Sequence, residues 1–150
     1  MEREIKFRGK RIDNDEWVYG CLQIYGDGSY VITTEAERIA SQCIKGRDGV
    51  KRQFYNSYAT THEVDPETVG QFTGRKAGEE ELYRGDIVRI TAACGEEYIG
   101  EVVWDDNRSQ WAVDIGHDLW SFGNIFVDCQ HQVEKVGNRW DYPELLEVSK

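Results

Sequence analysis

"EEYIGEVVWDDNRSQWAVDI", residues 96–115, decides the fold. Two apolar-rich runs flank "DDNRS". Its Asp105, Asp106, Asn107 and Ser109 form turns because short polar side chains hydrogen-bond their own backbone. The stretch reads as two strands of a hairpin, with Trp104 and Trp111 placed to pack across the pair. Upstream, "ELYRGDIVRITA" (81–92) adds a strand whose entry is kinked at Gly85-Asp86, where glycine frees the backbone for a bulge or sharp bend. Downstream, "HQVEKVGNRW" (131–140) reads as another short strand. "YPELLEV" (142–148) places Pro143 at a helix start and Leu145 and Leu146 for docking, so one short C-terminal helix is expected. Short strands lose their exposed edges by closing on themselves, so residues 80–137 are expected to form a small SH3-like barrel.

The first half is also β in style. In "EWVYGCLQIYGDGSYVITT" (16–34), Trp17, Tyr19 and Cys21 alternate with Val18, Gly20 and Leu22, and Ile24 continues the second set. Both faces are largely apolar, which predicts a strand covered on both sides or closed into a barrel. "GDGS" (26–29) supplies the tight hairpin turn and "YVIT" returns as partner; "IKFRG" (5–9) reads as the strand before. "AERIASQCIK" (36–45) fits a helix or a strand, and its β surroundings favour strand. The expectation is a mainly β single domain over 1–150. An N-terminal β-hairpin region (1–75) packs on or extends the barrel region (76–150).

"DPETVGQFTGRK" (65–76) invites a ligand-loop reading that its spacing removes. A phosphate-binding P-loop needs GxxxxGK followed by Ser or Thr, and a dinucleotide fingerprint needs GxGxxG between strand and helix. Neither is present. Asp65-Pro66 favours a turn instead, with Val69 and Phe72 on a short strand that Gly74 leaves.

The chain has 150 residues, with 39% hydrophobic and 12% aromatic residues, and formal charge −10. Five Trp and eight Tyr supply core bulk, since each large aromatic buries on the order of 150–250 Å². No apolar run approaches the ~18 residues of a membrane span, and the opening "MEREIKFRGKRIDNDEW" lacks an apolar run after its charges. We expect no membrane association and a cytoplasmic setting. Cys21, Cys43, Cys94 and Cys129 form no close pair, so four free thiols, mostly packed as small hydrophobes, are expected rather than zinc or disulfides.

Charge is segregated. Residues 1–75 carry 11 Lys+Arg against 12 Asp+Glu, and residues 76–150 carry 7 against 16. An acidic surface repels phosphate backbones, because nucleic-acid affinity comes largely from Lys and Arg neutralising phosphates. The exception is "KGRDGVKR" (45–52), whose Lys45, Arg47, Lys51 and Arg52 form either a solvated loop or a small phosphate-facing patch.

No catalytic constellation assembles. His62, His117 and His131 are the histidines, and "GHD" (116–118) suits a solvated turn better than a catalytic pair. Asp105, Asp106 and Asp114 have the oxygen chemistry of Mg²⁺ or Ca²⁺ ligands, but the "DDNRSQ" spacing departs from an EF-hand loop. Trp104, Trp111 and Trp120 would suit a base-stacking surface. Filling the core of a small barrel accounts for them better, given the surrounding acid.

Several pieces in order carry a resemblance: "REIKFRGKRIDNDEWVYG" (3–20), "VDPETVGQFTG" (64–74), "ELYRGDIV" (81–88), "GEVVWDD" (100–106) and "VGNRWDYPELL" (136–146). Together they resemble the YopX family, small proteins of bacteriophages and integrated prophages. The central signature matches at Asp65, Pro66, Gly70, Gln71, Phe72 and Gly74, followed by Gly85 and Asp86. The chain departs in its short spacer "RKAGEE" and in Arg139, Trp140 and Asp141, where the family tends to an "IGNIYENPELL" pattern. The resemblance implies a mostly β fold, a phage or prophage context, and structural roles for the signature residues. It carries over no catalytic residue and no cofactor.

The expected function is that of a non-enzymatic adaptor or regulator binding an unknown host or phage protein, with homo-oligomerisation in the same class. The alternative is a nucleic-acid-associated protein, acting through the 45–52 loop or as an acidic DNA mimic. An enzyme would require a concave pocket where Asp86, His117 or a cysteine meets another titratable group.

Overall fold

A computed structural model describes residues 4–34, 37–58, 60–126 and 131–147. The chain divides into two compact units, Lys6–Val69 and Met1–Ile5 with Gly70–Lys150. Strands dominate both.

In the first unit, β1 (Phe7–Lys10), β2 (Trp17–Ile24) and β3 (Tyr30–Thr33) form an antiparallel meander. The β2–β3 turn closes through Tyr25 N–H to Ser29 O (2.9 Å) and Gly28 N–H to Tyr25 O (3.0 Å), with Gly28 at φ 88°. Among the described residues, β4 (Glu37–Lys45) and β5 (Lys51–Tyr58) pair only with each other as a two-stranded ribbon, which settles 37–45 as strand. β6 (Thr61–Val64) returns to pair with β3. Its other edge reaches the segment after β1, through an Arg11–Val64 bridge and Ile12 N–H to Glu63 O (3.1 Å). Ile32 and Val64 are fully buried, and Gly9 lies so close that an added Cβ would stand 3.0 Å from Val64 Cβ.

One expectation fails here. β2 is not covered on both sides: Val18, Gly20 and Leu22 are half-buried, whereas Tyr19, Cys21 and Gln23 are exposed. Aromatic and thiol side chains satisfy an apolar pattern yet tolerate solvent, so alternation alone overcounts buried faces. The cysteines teach the same lesson, since Cys21, Cys43 and Cys94 are free and exposed rather than packed. Cys129 lies outside the described residues.

The signature stretch bridges the two units in sequence. Asp65 caps a 3₁₀ turn over Pro66–Thr68, its Oδ1 accepting Glu67 N–H at 3.0 Å. β7 (Gly70–Ala77) and β8 (Glu80–Tyr83) then form a hairpin turning at Gly78 (φ 64°). Val69 caps the 3₁₀ turn rather than joining the strand. Gly74 does not end β7. Its φ of 87° makes a bulge between Phe72 and Lys76, beside which Thr73 Oγ1 donates to Leu82 O (2.9 Å).

The second unit centres on a five-stranded antiparallel sheet of β9 (Asp86–Thr91), β10 (Glu97–Asp105), β11 (Gln110–Asp114), β12 (Leu119–Ser121) and β13 (Gln132–Asn138), ordered β12-β11-β10-β9-β13. The Trp-flanked hairpin forms in the expected register, Trp104 opposite Trp111. β12 and β13 end the sheet, and no pairing joins them among the described residues. The barrel expected over 80–137 is therefore an open sheet here. A five-residue helix, α1 (Phe122–Phe126), follows β12 directly. α1 buries Phe122 and Ile125 against a core of Leu82, Val88, Ile90, Val102 and Val113. α2 (Glu144–Glu147) follows Pro143 as expected.

Candidate functional site

The family-like pieces of the second half meet at one place. Gly85 sits between β8 and β9 at φ 91°, and an added Cβ would stand 2.3 Å from the Trp140 ring. Its carbonyl accepts Arg139 N–H and its N–H donates to Val102 O, both at 2.9 Å. The neighbouring Asp86 is fully buried; Oδ2 accepts Tyr83 N–H at 2.7 Å and lies 3.3 Å from Lys135 Nζ. Opposite Asp86, Asn138 caps the final turn, its Oδ1 accepting Trp140 N–H (3.0 Å) and Asp141 N–H (2.9 Å) while Nδ2 donates to Asp141. Glu101 on β10 pairs with Arg139 at 3.0 Å. Burial pushes the Glu101 carboxyl above its ordinary range, with Arg139 and Arg84 pulling the other way. Every one of these groups holds backbone or a neighbouring side chain.

The acid-rich loops of this unit border a cavity of about 470 Å³ lined by Asp105, Asp114, His117 and Asp118 among others. The carboxylates are committed to their turns. Asp105 is 4% exposed and its Oδ1 accepts Asn107 N–H (3.0 Å) and Arg108 N–H (3.4 Å). Asp114 Oδ1 accepts Gly116 N–H and Asp118 Oδ1 accepts Leu119 N–H, each at 2.9 Å. His117 thus meets titratable neighbours in a concavity, but no hydrogen bond joins it to a carboxylate among the described residues. Asp106 stands exposed at the turn, apart from this lining. No group of three or more His, Cys, Asp or Glu suited to a metal occurs among the described residues. His62 lines a separate cavity of about 270 Å³ with Arg11, Asp13 and Glu63.

The three tryptophans share the core face of the sheet, as their registers with Val102 and Val113 require. Trp111 and Trp120 pack on the core, and Trp104 remains 40% exposed, its ring edge-on to Trp111 at 5.2 Å. Trp120 touches Tyr98 (4.8 Å) and His131 (6.0 Å). They fill space rather than form a continuous surface platform.

In the first unit, Lys45, Arg47, Lys51 and Arg52 come together at the tip of the β4–β5 ribbon. The turn closes through Gly46 N–H to Val50 O (2.9 Å), and Lys45 stands directly opposite Lys51. Arg52 is held by Asp48 at 2.6 Å, and that bond keeps the Asp48 carboxyl below its usual range. Lys45, Arg47 and Lys51 are exposed, with no acidic partner among the described residues. Sequence reasoning singled out these four bases but missed the structural roles of Glu101, Lys135 and Asn138. A signal for Asn138 existed in its place at the end of a strand, where a short amide side chain caps the turn that follows.

The family model described as YopX protein matches residues 6–147. The chain belongs to the YopX family. Among solved structures, protein EF1440 from Enterococcus faecalis is similar over 97% of this chain and 99% of its own, at 18% identity and a TM-score of 0.62. The yopX protein from Bacillus subtilis is similar over 93% of this chain and 96% of its own, at 18% identity and a TM-score of 0.53. At that identity the likeness to both structures is one of fold. No curated protein matches the chain.

Proposed function

We propose that this YopX-family chain is a phage- or prophage-encoded, non-enzymatic interaction protein of the bacterial cytoplasm, whose acidic second unit docks a basic partner protein. The observation that carries this reading is the segregation of charge. Residues 6–69 hold 9 Lys+Arg against 10 Asp+Glu, and the remainder of the chain holds 9 against 18. A field of one sign steers encounter with a partner of the other sign and selects against like-charged surfaces. The buried acids of this unit stiffen its turns, which suits a rigid docking face better than chemistry that needs a mobile proton.

Affinity co-purification of the full chain from bacterial cells, with and without phage proteins, tests the reading. A partner retained at about 50 mM salt is expected, because unscreened charges act over roughly 14 Å or more at that ionic strength. Empty capture at that salt in both settings contradicts it.

A second reading, phosphate contact through the ribbon tip, is favoured by Lys45, Arg47 and Lys51, which are exposed and meet no acid among the described residues. It predicts binding to short duplex DNA that falls steeply with salt.

A further inference from the structure

The β4–β5 ribbon raises a problem that neither its own pairing nor the rest of its unit answers. Among the described residues its two strands pair with no third strand. A lone two-stranded ribbon is marginal in water, because it buries little apolar area for the backbone it orders. Its outer half is uncovered: Cys43, Lys45, Arg47, Val50, Lys51, Arg52 and Gln53 are all exposed, and Ile44 is 43% exposed. Lys45 and Lys51 face each other across the pair, an arrangement that destabilises a ribbon by like-charge repulsion. The one acid at the tip, Asp48, is occupied by Arg52. An element that spends stability on two opposed ammonium groups is built to meet negative charge from outside.

We propose that the tip of this ribbon docks on the acidic second unit of another copy of the same chain. The proposal rests on the interaction reading above and names one basic partner for the acidic unit. Lys45, Lys51 and Arg47 supply the cations, while Ile44 and Val50 on the Arg52 face supply apolar contact. Charge complementarity selects the occupant. Residues 70–150 alone hold 8 Lys+Arg against 16 Asp+Glu, so each molecule carries both a small basic tip and a large acidic surface. A nucleic acid would meet the tip favourably but would be repelled by that surface. The contact is head-to-tail, tip of one copy on acid of the next, so it closes into a ring or continues as a chain of copies according to the rotation it imposes.

Size-exclusion chromatography with light scattering on the full chain tests this, at protein concentrations of about 10–100 μM. Wild type is expected to assemble at about 50 mM salt and to dissociate at about 500 mM, where charges are screened beyond roughly 4 Å. The triple reversal Lys45→Glu, Arg47→Glu, Lys51→Glu should weaken assembly at least about tenfold. Lys45→Gln with Lys51→Gln should give an intermediate loss and leave thermal unfolding unchanged or raised, since it removes the opposed charges; this variant separates lost docking from lost folding. Wild type that stays monomeric at low salt overturns the proposal. So does assembly that ignores both salt and the reversal. A monomeric wild type that binds a 20-base-pair duplex, with binding lost in the reversal, overturns it in favour of a phosphate partner. A monomeric chain that still captures a basic host protein overturns this inference and leaves the broader interaction reading standing.

Discussion

Gly85 lies directly beneath the indole of Trp140, so close that a methyl group on its Cα would fall 2.3 Å from two ring carbons. The contact joins the strand entry of "ELYRGDIV" to the turn of "VGNRWDYPELL", and its backbone at φ 91° is one that side-chain-bearing residues rarely adopt. Gly85→Ala is expected to cost about 2–4 kcal/mol, from backbone strain and overpacking together. In a Trp140→Ala background the same change should cost at least about 1 kcal/mol less, because the steric part is gone. Chemical denaturation of the four-member cycle measures this. Equal costs in both backgrounds would contradict the packing account.

Lys135 Nζ stands 3.3 Å from the fully buried Asp86 carboxylate and also donates to Glu81 O at 3.3 Å. Lys135→Met is expected to cost about 1–3 kcal/mol. That is below the full penalty for orphaning a buried charge, since the lysine is partly exposed and Asp86 keeps the Tyr83 N–H. Urea unfolding of the variant reads the loss.

Glu101 titrates above its ordinary value because it is partly buried. A carboxyl whose folded pKa lies above the unfolded one favours folding most when protonated. Its contribution is therefore best below the unfolded value of about 4.3 and declines as pH rises through the folded one. Glu101→Gln should consequently gain ground on wild type as pH is raised from about 4 to about 7, partly offset by loss of the Arg139 pair. Thermal melts of both proteins across that range test it; a gap that moves the other way would show that Arg139 outweighs burial.

Asp65 caps the 3₁₀ turn and its carbonyl accepts the Thr68 hydroxyl at 2.7 Å, while Thr68 Oγ1 accepts Lys10 N–H at 2.9 Å. Asp65→Ala is expected to cost about 1 kcal/mol and Asp65→Asn much less, since the amide oxygen still accepts. Denaturation midpoints of the two variants decide between a capping role and a role for the charge.

What was legible in the sequence follows from how local the signal is. Hairpins at Gly28 and "DDNRS" were readable because the turn residues themselves dictate the backbone. The bulge at Gly74 was read as a strand end, because a glycine permits either and the choice depends on the partner strand β8. α1 was missed: five residues are too few for a periodic pattern. A trace existed in Ser121, whose Oγ accepts Asn124 N–H at 3.2 Å at the helix start. Whether β12 and β13 meet is decided by long-range pairing, which no local pattern encodes. The charge contrast was fully legible, whereas the opposition of Lys45 and Lys51 needed the β4–β5 register.

The central claim is that segregated charge makes this chain a docking protein for a basic partner. Its most direct measurement is stepwise salt elution of proteins captured by the full chain from bacterial lysate, with the isoelectric points of what elutes. The account predicts a small set of basic proteins released between about 150 and 500 mM salt, as the screening length shrinks from roughly 8 Å to about 4 Å. An empty column, or a retained set that is acidic or indifferent to salt, would contradict it.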